Sequence, residues 1–468
     1  MAYNDGKIRV SDAPGLGVKL DRGQIRTTPA LQQSLCNGML KQLITLALFI
    51  TAWATSAGAQ VCEIKPTLGQ IDIVFEKQFT RNGPGWTGAD STYSVVLPNG
   101  DSAFFFSDSY IAEDPPRAGD GTVTVDANGI RRRQVNCYPP LCDPPSSLFR
   151  ANNSVVVRNR TNGSLRTLVG PRNDSELSTS FFSLPTGSPA NHFFWVGDSA
   201  VVQLGRQKKL WVFLMEFDSK LAYHGSAIAQ LSLPALKVES IERLTGTGDS
   251  TVSWGSALML EGPVLYIYGL QNKQTINGKV PYLAKVDPRA GLKAVADTSR
   301  WRVWNGKAWV KGLRNAAQLL GAPNDPKNAR DQISDEFSVK KLHTKAGDVY
   351  VLVGMDTTVP FGHWKNITLY SACRPEGLWS AKHVVYTTPE AESRRVPGMS
   401  ESEALAGPMV VYNPHLHPQF IRDQGILISY NTNTSKGQDL LFADTYRPRF
   451  IRVRIEGLQS PLQKRNGN

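Results

Sequence analysis

Residues 253–269, SWGSALMLEGPVLYIYG, decide how this chain is read. Residues 253–260 open as a strand of small residues, a polar turn follows, and 263–269 return as an apolar strand with two tyrosines. Alternation with a period of two between turn formers is the signature of a β-hairpin. The same small-to-aromatic order recurs. Residues 90–97 (DSTYSVVL) turn through Pro98-Asn99-Gly100 into 102–108 (SAFFFSD), and 197–204 (GDSAVVQL) lead to 209–215 (KLWVFLM). Residues 335–342 (DEFSVKKL) precede 348–354 (DVYVLVG), and 408–412 connect through a histidine-containing insert to 425–430 (GILISY).

Five copies, roughly 55 to 105 residues apart, read as a repeat architecture. Residues 282–286, 368–373 and 450–455 are candidate outer strands. The expected fold is all-β, a five-bladed β-propeller. A β-sandwich is the competing fold, but it has no need of five copies in one order. The propeller is expected over 60–458, with loop insertions at 114–145 and 301–332 and a disordered tail at 459–468. The 40 Gly and 29 Pro are spread throughout, and after residue 60 the best helical candidate is the short run 313–320.

The N-terminal region reads as an address. Met39-Leu40-Lys41 opens a basic region, residues 43–54 are apolar, and Ala57-Gly58-Ala59 fits a small-x-small cleavage site before Gln60. The run is shorter than the ~20 residues that span a bilayer. Residues 39–59 are therefore expected to be a signal peptide, with Met39 the true start and 1–38 a mis-called or disordered extension. The chain is expected to be secreted or periplasmic, with no integral membrane span. Of five cysteines, Cys36 falls in the discarded part, leaving an even set for an oxidising compartment. Cys137 and Cys142 flank the tight loop Tyr-Pro-Pro-Leu and are expected to pair, which leaves Cys62 for Cys373. A zinc site is the alternative, though no second Cys pair of suitable spacing exists.

The formal charge is +12; six basic and three acidic residues lie in 1–59, so the mature chain carries +9. Basic residues are scattered, densest at Arg131-Arg132-Arg133 and over 447–454. An affinity for anionic polymers competes here with a plain solvated surface. No nucleic-acid-binding module is recognisable. The sequons at Asn152, Asn159, Asn162, Asn173, Asn366 and Asn433 read as exposed polar loops.

Trp86-Thr87-Gly88-Ala89-Asp90-Ser91-Thr92, followed by Phe106-Ser107-Asp108, resembles the opening blade of five-bladed propeller glycosidases. The group it resembles is a secreted family, long described as a domain of unknown function, that includes endo-D-arabinofuranosidases and is related to the arabinanase and β-xylosidase propellers. Ser253-Trp254-Gly255-Ser256, Tyr266-Ile267-Tyr268-Gly269 and Ile428-Ser429-Tyr430-Asn431 look like its later blades. The resemblance runs over 70–435. The insertions at 114–145 and 301–332 depart from it, which puts substrate specificity in doubt more than fold. It implies a glycoside hydrolase acting on a cell-wall or envelope polysaccharide, with arabinofuranose among the candidate sugars.

In a propeller the innermost strands converge on the axis, so polar residues at their starts meet despite wide separation in sequence. Those positions hold Asp90, Asp198, Trp254, Asp335 with Glu336, and His415 with His417. Glycoside hydrolysis needs two carboxyl groups, one to protonate the leaving oxygen and one to attack or to activate water. Asp90 and Asp108 are the first choice and Glu336 the third, from across the axis as general acid; the other roles stay open. Alternation places Asp90, Thr92 and Ser94 on one face. Asx-turn or capping roles compete for both aspartates. Trp86 and Trp254 are candidates to stack on sugar rings, with core packing the alternative. Asp198, His415 and His417 are candidate substrate-binding residues. No metal and no cofactor are expected, and the protein is expected to act as a monomer. The competing function is a non-catalytic propeller that binds carbohydrate or protein.

Overall fold

The structure is a computed structural model that describes residues 62–116, 120–135, 151–248, 250–271, 278–320 and 332–460, with two short strands near the N-terminus. Residues 1–59 and 60–468 form separate compact units. In the first, Tyr3–Asn4 pairs with Lys7–Ile8. The expected leader over 39–59, the Cys137–Cys142 pair and most of the expected tail lie outside the described residues.

The second unit is a five-bladed β-propeller. Each blade is an antiparallel meander that runs from the axis outward. The first consists of Tyr93–Val96, Ser102–Phe106, Ser154–Arg158 and Leu165–Leu168. The second is His192–Leu204, Gln207–Asp218, Tyr223–Leu231 and Val238–Arg243. The third has five strands, Val252–Glu261, Val264–Gln271, Pro281–Val286, Arg302–Trp304 and Trp309–Val310. The fourth is Ser338–Thr344, Gly347–Met355, Asn366–Ala372 and His383–Thr387.

The last blade is made by both ends of the unit. Met409–Arg422, Gly425–Thr434 and Arg447–Arg454 are followed outward by Gln70–Ile71, with Ile451 opposite Ile71. The Asp72 carboxylate continues the seam, paired with Arg452 at 2.7 Å and Arg422 at 3.1 Å. Asp72 also caps the helix Ile73–Gln78 by accepting from the Phe75 amide. Cys62 is disulfide-bonded to Cys373, at the end of the third strand of the fourth blade.

The second strands explain why the sheets stack. In the second blade Leu210, Trp211, Val212, Phe213 and Leu214 are all fully buried. A strand apolar on both sides requires cover on both sides, which a neighbour on each face provides. Leu210, Val212 and Leu214 pack with Phe105 and Val155 of the first blade, while Trp211 and Phe213 pack with Trp254 and Ile267 of the third. Tyr268 and Leu352 continue this between the third and fourth blades, and Val353 and Ile428 between the fourth and fifth. Phe450 and Phe104 close the ring with Phe79 between them. Each such side chain contributes roughly 1.5–3 kcal/mol relative to exposure.

The innermost strands share an irregularity. Register breaks between Val196 and Ser199, between Trp254 and Ala257, and between Tyr412 and His415, so the second, third and fifth blades are bulged where they approach the axis. The bulges pack closely: a Cβ on Gly197 would lie 2.5 Å from the Gly255 carbonyl oxygen. A bulge re-aims side chains out of strict alternation.

Two expectations change. The histidine-containing segment is not an insert, because the strand Met409–Arg422 runs through it. The best helical candidate, 313–320, holds only the 3-10 turn Leu313–Asn315, while the short α-helices Ile73–Gln78 and Leu292–Ala296 form elsewhere. The 301–332 region supplies the outer strands of the third blade, and the 114–145 region contributes the hairpin Asp120–Val125 with Arg131–Val135.

Candidate active site

Asp90 precedes the first inner strand. Ser91 and Thr92 follow it with φ of 71° and 68°, a left-handed backbone that non-glycine residues rarely adopt. Their side chains hold this turn. Ser91 Oγ lies 2.8 Å from both Ser107 Oγ and Glu336 Oε1, and Thr92 Oγ1 is 3.0 Å from Asn431 Nδ2. The Asp90 carbonyl accepts from the amides of Thr92 and Ser107, drawing the two ends of the hairpin together. Asp90, Thr92 and Ser94 all turn to the fifth blade, where they bond Tyr412, Asn431 and His417.

Asp108 follows the second strand of that hairpin. Its Oδ1 accepts from Trp195 Nε1 at 3.0 Å and from Asn152 Nδ2 at 3.1 Å. Tyr446 donates to the Asp108 carbonyl at 3.0 Å, and Tyr412 donates to Asp90 Oδ2 at 2.9 Å. Asn433 in turn donates to the Tyr412 oxygen at 3.0 Å. Glu336, just before the fourth inner strand, faces His415 Nε2 at 2.9 Å through its second oxygen.

These contacts bring Asp90, Asp108 and Glu336 into one electrostatic unit. Burial pushes Asp90 well above the usual carboxylate range, and the charges of Asp108 and Glu336 push it further. Burial raises Asp108 to about 6 against the opposing pull of the Trp195 and Asn152 donors. Burial raises Glu336 to about 8, opposed by the Ser91 hydroxyl. Burial drives His415 down to about 3, so its imidazole is neutral. Its Nδ1 has no partner among the described residues. That assigns the proton to Nε2, as donor to Glu336, because a buried lone pair without a partner costs less than a buried N–H without one. All three carboxyl residues keep partial exposure, Glu336 with 13% of its side chain.

The remaining sequence candidates are placed differently. Trp86 and Trp254 are fully buried, Trp86 against Phe79 and Phe106 and Trp254 against Trp301, so neither offers a ring to a sugar. Asp198 is buried and engaged by Lys340 Nζ at 2.6 Å and by the amides of Ser199 and Leu258. His417 is enclosed between Ser94 and Ser429 and packs against Phe104, Phe420 and Phe450. Asp335 is turned to Lys279 at 2.8 Å. Trp195, Tyr412, Tyr446, Asn152, Asn433 and Ser91 were missed. Asn152 and Asn433 were read only as sequons, yet their amides hold Asp108 and Tyr412. Extending the second inner strand back from Gly197 would have reached Trp195.

The carboxyl cluster has no metal-ligand spacing. Among the described residues that spacing occurs at His192, Asp218 and His224.

The family profile described as Domain of unknown function (DUF5005) matches residues 143–456. The chain belongs to the DUF5005 family. Glu336, Trp195 and Tyr412 of this DUF5005 protein fall inside the matched span, while Asp90 and Asp108 precede it. No curated protein matches the chain in sequence. Among solved structures, the DUF5005 chain is similar to a Bacteroides ovatus ATCC 8483 protein classed provisionally as a hydrolase. Identity is 17% and the TM-score 0.56, covering 85% of this chain and 97% of that one. At that identity the likeness shows the fold. Remoter likenesses are to an exo-β-1,3-galactanase from Phanerochaete chrysosporium and the α-L-arabinofuranosidase PaAbf62A from Podospora anserina. The galactanase gives 9% identity and a TM-score of 0.38, covering 79% of this chain and 63% of that one. The arabinofuranosidase gives 11% and 0.36, covering 83% and 95%.

Proposed function

We propose that this protein is an exported glycoside hydrolase that cleaves a cell-wall or envelope polysaccharide by two-carboxylate chemistry. The observation that carries the reading is the gathering of three carboxyl groups at one site, where Ser91 beside Asp90 bonds Glu336 and burial raises Glu336 to about 8 and Asp108 to about 6. Near neutral pH Glu336 is protonated and Asp108 ionised, which is the state an acid and a base must start from. Glu336 passes its proton to the glycosidic oxygen as the carbon–oxygen bond breaks. Asp108 acts on the opposite side, through a water or directly on the anomeric carbon. Asp90 lies between them electrostatically, and the Tyr412 hydroxyl orients it.

Export completes the reading: a leader over residues 39–59 is removed before Gln60, and the Cys62–Cys373 bond suits an oxidising compartment. Among the described residues no helix is long and apolar enough to cross a membrane.

The test is reducing-sugar release from a panel of plant, fungal and mycobacterial wall polysaccharides, arabinofuranose polymers included. Release by the native protein, abolished in folded Asp108→Asn and Glu336→Gln variants, is the expected result. Binding of a polysaccharide without release would assign the fold to recognition instead. N-terminal sequencing of secreted material, expected to begin at Gln60, tests the leader.

A further inference from the structure

We infer that His192, Asp218 and His224 form a binding site for one zinc-class divalent transition ion at the end of the second blade. Register sets His192 opposite Asp218, and the turn after Asp218 returns His224 to the same edge. One ligand atom from each lies within 4.8 Å of the others. Ligand atoms around a tetrahedral zinc ion are separated by about 3.3 Å, so the site has to contract by roughly 1.5 Å. His224, with 38% of its side chain exposed, has the freedom to do so.

The second observation is that each less mobile ligand is already held through its other atom. His192 Nδ1 is 2.9 Å from Glu216 Oε1, and Arg243 clamps Glu216 at 2.7 and 3.0 Å. A carboxylate on Nδ1 fixes the imidazole with its lone pair on Nε2, as in carboxylate–histidine–metal triads. Asp218 Oδ1 accepts from the amides of Lys220 and Ala222 at 2.8 and 3.0 Å, leaving Oδ2 beside His224 Nε2 at 3.0 Å. The two imidazoles are stacked at 4.1 Å.

Two imidazoles and one carboxylate suit zinc, cobalt or nickel over calcium or magnesium. Binding uses the His224 tautomer that carries its proton on Nδ1: the proton shared with Asp218 Oδ2 leaves Nε2 to solvent while Nδ1 takes one up, and the ring leaves its stack on His192. Three protein ligands leave a fourth position for water. His192 precedes Trp195 by three residues on one strand, so the ion sits about 10 Å along the blade from the Asp108 partner. That separates it from the carboxyl chemistry.

Tag-free protein titrated calorimetrically with zinc chloride at pH 7.5 tests this. One equivalent is expected to bind with Kd of about 10 μM or tighter. Cobalt chloride is expected to give visible absorption bands at the same stoichiometry. His224→Gln, a change at a largely exposed side chain, is expected to weaken binding at least tenfold with unchanged circular dichroism. Failure to saturate at one equivalent, or wild-type affinity in His224→Gln, overturns the proposal, whether or not the protein proves to be a hydrolase.

Discussion

Lys340 Nζ lies 2.6 Å from Asp198 Oδ2, joining the fourth inner strand to the second past the Leu258 backbone of the third. Asp198 therefore serves the ring and is not available to a substrate. Both side chains are nearly enclosed, at 14% and 2% exposure. Removing one charge from such a pair leaves the other buried without compensation, at a cost of about 3–5 kcal/mol. Lys340→Met is expected to lower stability by that amount in denaturant unfolding. The double variant with Asp198→Asn should recover much of the loss.

Activity should follow a bell-shaped pH profile. It rises as Asp108 ionises near about 6 and falls as Glu336 loses its proton near about 8. Trp195→Phe removes an N–H that favours ionised Asp108, so the acidic limb should move upward while the basic limb stays. Asp108→Asn and Glu336→Gln should each reduce kcat by about 10²–10⁴-fold. A profile without two limbs in this range would remove these residues from the mechanism.

The same burial that tunes Glu336 works against the fold. Its affinity for the proton is higher folded than unfolded, so its contribution is fully present below its ordinary value near 4.5 and is lost as pH climbs through about 8. Glu336→Gln keeps a neutral acceptor for His415 and turns its NH2 to the Ser91 oxygen, without that loss. It should raise the melting temperature at pH 8 by on the order of 2 °C, and change it little at pH 4.

Gly197 has no room for a methyl group, because its Cβ would meet Gly255 oxygen at 2.5 Å and Phe213 Cβ at 3.3 Å. Gly197→Ala should push the second and third bulges apart and cost about 1–3 kcal/mol. The alanine should also displace the Trp195 indole from Asp108. Thermal unfolding together with the pH profile would register both effects.

The five hairpins were legible because each strand alternates or runs apolar between turn formers, and because the order repeats. Asp90 and Glu336 were legible as neighbours because strand starts converge on an axis, and Asp108 because it closes the same hairpin as Asp90. Trp86 and Trp254 were misread because a tryptophan beside glycine and small residues has the same local pattern in a core as at a surface. Asp198 was misread because its partner Lys340 comes from a distant blade, and no local spacing announces that pairing. Tyr412 and Tyr446 were missed for a similar reason. Each reaches the first blade from more than 300 residues away, and the bulge at Asn413 and Pro414 breaks the alternation that would have placed Tyr412.

Residues 66–72 are stitched onto strands far along the chain, among them Phe450–Arg454, with Asp72 and Arg452 380 residues apart. A ribosome that has made four complete blades has still made no closed ring. The first residues of the unit must wait, unpaired, for the final ones to emerge. Closure of the ring therefore waits for residues 447–454, and a chain cut short before them keeps its fifth blade open.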